Sequence, residues 1–254
     1  MDVDRNFSEF EGKAASVSDG DEASNRGSRI ASTVLSPAVG LWLRSQVERV
    51  DELKVKIEGS DRQLFGGKIP QVTVAASGAV YRGLHLTEVA LCGAKIRVNL
   101  GQAIKGQPLR LLEPIPVTGV LRLSQVDLNE SLKASLLADA LSEFLLPMLP
   151  IDRQEKPLKL ENSQIIIEAG LLTLSAAIVS AGGAQISLVL RTGLQVASGR
   201  ELMFESPEIE FDRELLDASN FNDFKIDFGP EVNIEELTLT PGEIVCRGGI
   251  TVLP

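Results

Sequence analysis

Apolar residues recur in this chain at every second position, in short runs interrupted by glycine. This period constrains the fold more than any other feature. Leu53, Val55 and Ile57 interleave with Lys54, Lys56 and Glu58, which puts one face of a strand in a core and the other in water. Val72, Val74 and Ala76 repeat the pattern, as do Leu84 and Leu86, then Ile96, Val98 and Leu100. Gly-containing segments such as SGAVYRG and LCGAK separate these runs. They leave no room for crossover helices, so the strands are expected to pair as antiparallel hairpins. A second set follows at Leu158–Glu168, Leu171–Ser180, Gln185–Thr192 and Leu194–Ser198. LTLTPGEIVCRGGITVLP closes the pattern with a further hairpin.

Two helical patterns break the alternation. Ser36-Pro37 combines a good N-cap with a residue favoured at the first helical position. Val39, Leu43, Val47 and Val50 then form one apolar stripe with Trp42 at its edge, predicting an amphipathic helix of about 14 residues. The second helix is expected to open at Asp127–Glu130, read as a capping box with Asn129 as a competing cap, and to end at Pro147 and Pro150. Its stripe of Leu137, Leu141, Phe144, Leu145 and Met148 is widened by Leu132, Leu136 and Ala140. So broad an apolar face must be covered on most sides, and a sheet curving around it is one solution. Asp212–Asp223 reads as a short polar helix or loop. Residues 1–35, with seven acidic and four basic side chains and no apolar period, read as a disordered acidic leader. Residues 36–254 are expected to form a single domain, since no Pro/Ser-rich linker divides them.

Composition excludes several activities. The 254 residues carry 35 acidic and 25 basic side chains, a net charge of -10 that repels phosphate backbones and argues against nucleic-acid binding. One His and two Cys cannot assemble the usual four-ligand zinc site, and Cys92 and Cys246 read as apolar fillers. His85 stands on the strand face opposite Leu84 and Leu86, where solvent is expected. No G-x-S-x-G elbow or phosphate-binding glycine loop occurs. Asp139 and Glu143, Glu208 and Glu210, and Glu235-Glu236 read as solvated charge. No catalytic residue, metal ligand or cofactor is assigned. Basic residues gather around the helices: Arg44 and Arg49, then Lys54 and Lys56, and further on Arg153, Lys156 and Lys159. An anionic head group would meet such positions, with Lys54 and Lys56 the head-group candidates.

The order of these features resembles a known family. An amphipathic entry helix precedes LKVKIEGSDRQLFGGKIPQVTVAASGAVYRGLHLTEVAL; then come VDLNESL, opening a Leu-rich helix, and VNIEELTLTPGEIVCRGGITV. Together they are similar to the bacterial LmeA-like phospholipid-binding family over about residues 34–254. The resemblance implies a non-enzymatic lipid-binding domain of the α+β class. In that architecture a strongly curved antiparallel sheet is wrapped around long amphipathic helices, as in tubular lipid-binding modules. Secreted or envelope-anchored relatives carry an N-terminal hydrophobic segment, replaced here by the acidic leader. A cytoplasmic protein in peripheral contact with a membrane is therefore expected.

The expected function is binding, and transfer, of a phospholipid or other acyl lipid in an apolar groove. Trp42, Leu43 and Val47 from the first helix, with Leu137, Leu141, Phe144 and Leu145 from the second, are the lining candidates. The alternative is a ligand-free scaffold or adaptor whose stripes are satisfied internally; the sequence names no protein partner. An enzyme acting on lipids would need a nucleophile or acid/base pair, for which Asp139, Glu143 and His85 are poor material.

Overall fold

A computed structural model describes residues 30–103, 105–107, 110–149, 159–179, 183, 185–216 and 225–254. The leader up to residue 29, Arg153 and Lys156, and residues 217–224 of the polar segment lie outside the described residues. Twelve strands form two sheets among the described residues. They are β1 (Glu52–Glu58), β2 (Lys68–Tyr81), β3 (Leu84–Arg97), β4 (Ile115–Ser124), β5 (Lys159–Glu168), β6 (Leu171–Val179), β7 (Gln185–Ser198), β8 (Glu201–Phe211), β9 (Glu214–Leu216), β10 (Lys225–Asp227), β11 (Val232–Thr240) and β12 (Glu243–Val252). The first sheet has the order β1-β2-β3-β4-β12-β11; the second runs β10-β8-β7-β6-β5, with β9 also on β8. The expected closing hairpin is β11–β12, turning at Gly242.

The chain divides into two compact units. Unit 1 comprises the described residues up to Ala79 with Glu88–Leu121 and Gly248–Pro254; unit 2 comprises Val80–Thr87 and Arg122–Arg247.

In unit 1, β1 pairs antiparallel with β2, setting Leu53 opposite Ala76, Val55 opposite Val74 and Ile57 opposite Val72. Helix α1 (Ile30–Gln46) packs on β1, and the short helix α2 (Asp61–Phe65) packs on α1. The core of this unit is Ile57, Leu64, Ile69 and Val98, with Val39 and Val55 against it. Gly67 must be glycine: its φ is +71°, and a Cβ there would collide with the carbonyl oxygen of Val98. Its own carbonyl accepts the Val98 N–H at 2.9 Å, which seats the turn. Helix α1 does not begin at Ser36-Pro37. It is already formed at Ile30, and Pro37 lies inside it.

Unit 2 corrects the expected architecture. Across the described residues strand far outweighs helix, and the helices of unit 2 are only 7 and 11 residues long. Among the described residues no sheet wraps around long amphipathic helices. The predicted second helix is two pieces, α4 (Gln125–Ser131) and α5 (Ser135–Leu145), α3 being the single turn Leu100–Ala103. The break falls at Ala134, whose backbone is extended (φ -83°, ψ 141°). There the β2–β3 turn packs: a Cβ on Gly83, at φ +76°, would collide with that of Ala134. The His85 N–H donates to Ser131 Oγ at 2.8 Å. Helical periodicity continues through residues 132–134 in the sequence, but this tertiary contact overrides it. The cap is also displaced. Ser124 is the N-cap, its hydroxyl accepting from the Asp127 N–H at 3.1 Å, so Asp127 sits within the first turn.

The second sheet buries Leu174, Ile178, Leu188, Leu190, Phe204 and Ile209 against Leu145 of α5. The outward edge of β5 is closed by side chains of α4 rather than by another strand. Asn129 accepts the Ile165 N–H and donates to the Ile165 carbonyl, both at 2.8 Å. Gln125 Oε1 accepts the Ile167 N–H at 2.8 Å, and the Gly242 N–H donates to the Ile167 carbonyl at 2.8 Å. Replacing Asn129 by Ala leaves two backbone groups of Ile165 without partners, at about 1–3 kcal/mol each. Urea unfolding of Asn129→Ala is therefore expected to show a loss of about 2–4 kcal/mol.

Candidate functional site

Helix α1 presents an unusual face to β1. Ser36, Pro37, Gly40, Leu41 and Arg44 are linked by the three- and four-residue steps that share a helix side. Three of them are small, so the helix surface is dented. With Leu53 and Val55 of β1 they line an open groove of about 300 Å³ in unit 1. Gly40 forms its floor: a β-carbon there would lie 3.9 Å from Val55 Cγ2, in ordinary contact. Leu41 is 70% exposed at the rim, and Arg44 supplies the one charged side chain of the lining. The lining is mixed, with Ser36 and Arg44 beside the apolar Pro37, Leu41, Leu53 and Val55. A second depression, of about 360 Å³, lies in unit 2 beside the Asn162 bulge of β5. Asn162, Ser175, Gln185 and Ser187 make it more polar, and no charged residue lines it.

The residues expected from sequence fall in two places. Trp42 is on α1 but 56% exposed and outside the groove lining. Leu43 is half-buried on α1, and Val47 is half-buried just beyond its end. Leu137, Leu141, Phe144 and Leu145 come together in unit 2, packed with its core. Leu145 is 2% exposed, and the Phe144 ring meets that of Phe204 edge-on at 5.7 Å and 86°. Lys54 and Lys56 are exposed and alternate with Leu53 and Val55, so they project from the face of β1 opposite the groove. Lys56 pairs with Glu58 at 3.2 Å. Sequence reasoning passed over Gly40, Leu41, Leu53 and Val55 as site residues. The legible signal was the small-residue step Ser36, Pro37, Gly40 ending on Arg44.

Other chemistry is sparse. His85 is half-buried rather than solvent-facing. Asp139 and Glu143 are exposed on α5. Among the described residues, no three His, Cys, Asp or Glu side chains gather as a metal site. Burial pushes the thiols of Cys92 and Cys246 above their ordinary pKa; a hydrogen bond with Thr73 partly offsets this for Cys92, and the Glu58 charge adds to it. A raised folded pKa disfavours the thiolate in the native state. The linked stability is complete below the ordinary thiol pKa and is lost as pH rises through the elevated values. Thiol titration with an aromatic disulfide at pH 8 is accordingly expected to run more slowly in the native protein than in urea.

No described helix is long and apolar enough to cross a membrane. Searches of curated proteins and of solved structures give no match. The profile described as LmeA-like phospholipid-binding matches residues 26–249, which include α1, β1 and nearly all of both sheets. The chain belongs to the LmeA-like phospholipid-binding family.

Proposed function

We propose that the chain binds a phospholipid by laying part of an acyl chain in the α1–β1 groove, with the head group at Arg44, and exchanges it with membranes. The carrying observation is the dent at Gly40, which leaves apolar Leu41, Leu53 and Val55 facing an open trough ending on a cation. Each methylene withdrawn from water contributes about 0.8 kcal/mol. A bilayer interior offers nearly the same stabilisation, so movement between groove and bilayer is close to neutral. An open groove suits exchange better than storage. In this reading Trp42 and Leu43 flank the site, while Leu137, Leu141, Phe144 and Leu145 hold unit 2 together. The role is non-enzymatic: the lining's one charged group is an arginine, which stays protonated and is neither a nucleophile nor a general base near neutral pH.

Filling the trough tests this. Gly40→Leu introduces a side chain where a β-carbon already touches Val55, and it raises rather than lowers helix propensity, by up to about 1 kcal/mol. Native mass spectrometry of protein incubated with phospholipid in detergent is expected to show about tenfold lower occupancy for Gly40→Leu, equivalent to losing about two methylene contacts. Its melting temperature should be unchanged or higher. Equal occupancy in both proteins would rule the groove out.

A further inference from the structure

The acidity of this protein is not shared between its two units. Residues 122–247 and 80–87, which make up unit 2, hold 21 acidic and 11 basic side chains, a net charge of -10. Residues 30–79, 88–121 and 248–254 of unit 1 hold 7 acidic and 10 basic, a net charge of +3. The 29 residues that lead directly into α1 hold 7 acidic and 4 basic side chains, so residues 1–79, 88–121 and 248–254 together carry no net charge, and the total is -10. The net negative charge of the chain thus lies in unit 2, and the cationic side chains of unit 1 outnumber its acidic ones only from α1 onward, where they can act locally on an anionic surface.

That unit also carries the chain's one tryptophan, in an unusual setting. Helix α1 spans 17 residues with no acidic side chain and one basic one, Arg44. The large apolar side chains of such a helix ordinarily face a core. Here one side packs on β1 and the unit 1 core, yet Leu41 is 70% exposed and Trp42 56%. On α2, which packs against α1, Phe65 is 63% exposed and Arg62 is likewise exposed. Exposed Leu41, Trp42 and Arg44 on α1, with exposed Arg62 and Phe65 on the adjoining α2, have the composition of a surface seated at the head-group level of a bilayer. There an indole occupies the interface, leucine and phenylalanine reach the acyl boundary, and guanidinium groups meet lipid phosphate.

From this charge division and these exposed side chains, we infer that the α1–α2 surface of unit 1 docks on the face of a bilayer containing anionic phospholipid, through Leu41, Trp42 and Phe65 with Arg44 and Arg62. The inference rests on the lipid-exchange reading for its purpose, since Leu41 and Arg44 also border the groove. It can be measured independently.

The single Trp serves as the reporter. Full-length protein is mixed with vesicles of phosphatidylcholine, or of phosphatidylcholine and phosphatidylglycerol in equal parts, while Trp42 emission and co-sedimentation are followed. The expected result is a blue shift and sedimentation with the mixed vesicles, at least about tenfold weaker on phosphatidylcholine alone. Raising the salt from about 0.1 M to about 1 M, which shortens the screening length from about 10 Å to about 3 Å, should release the protein. Phe65→Glu and Arg62→Glu, both at exposed positions, should each weaken mixed-vesicle binding about tenfold with an unchanged circular dichroism spectrum. An unshifted Trp42 on mixed vesicles, or equal binding to both vesicle types, would overturn the docking surface. Wild-type levels of binding in both variants would do the same. Lipid occupancy from detergent, without vesicles, is read separately: equal occupancy in the wild type and Gly40→Leu overturns the groove and not the docking.

Discussion

The backbone of β5 has an outward row of donors and acceptors, and much of unit 2 depends on how that row is satisfied. In an antiparallel strand alternate residues direct both polar groups to the same side. Ile165 and Ile167 direct theirs away from β6, where carboxamides of α4 and the turn at Gly242 meet them. Four hydrogen bonds therefore fix helix, strand and hairpin in one register. Asn129 and Gln125 do what a further strand beside β5 would do, while blocking the edge to any other chain. With α4 pinned, α5 starts after Ala134 and delivers Leu145 to the interior.

Much of this is legible in the residues. Alternation from Leu53 to Ile57 gives β1, and the Gly66-Gly67 pair gives a turn that only glycine can make against Val98. The closing hairpin around Pro241-Gly242 follows from the same local rules, as does the resemblance carried by their order. What was not legible depends on contacts between distant segments. Leu132, Leu136 and Ala140 extend a helical stripe across a place where the chain is not helical, because Gly83 from a hairpin some fifty residues earlier packs on Ala134. Pro37 looks like a start signal, yet α1 runs through it. The groove was hidden for a related reason. Hydrophobic stripes mark where a helix is filled, and this site is defined by where the Gly40 side chain is missing.

The charge division was also invisible to composition. A net of -10 invites a uniform picture of an acidic surface. Only the assignment of segments to units reveals that strands β1–β3 and their flanking helices carry the excess of Lys and Arg. The same count that speaks against nucleic acid for the whole chain leaves room for an anionic lipid surface at one part of it.

The strand order of the first sheet carries a kinetic consequence. β4 ends at Ser124, but its neighbour β12 starts at Glu243, with an entire second sheet built from the residues between them. Pairing across so large a sequence separation is slow, because the loop must close before the contact stabilises it. During synthesis β1–β4 are exported from the ribosome long before β12 exists, leaving the free side of β4 available to any passing strand. Maturation of this sheet is thus governed by the time the intervening residues take to fold, and the interval before β12 arrives is when the chain is most exposed to aggregation or chaperone capture.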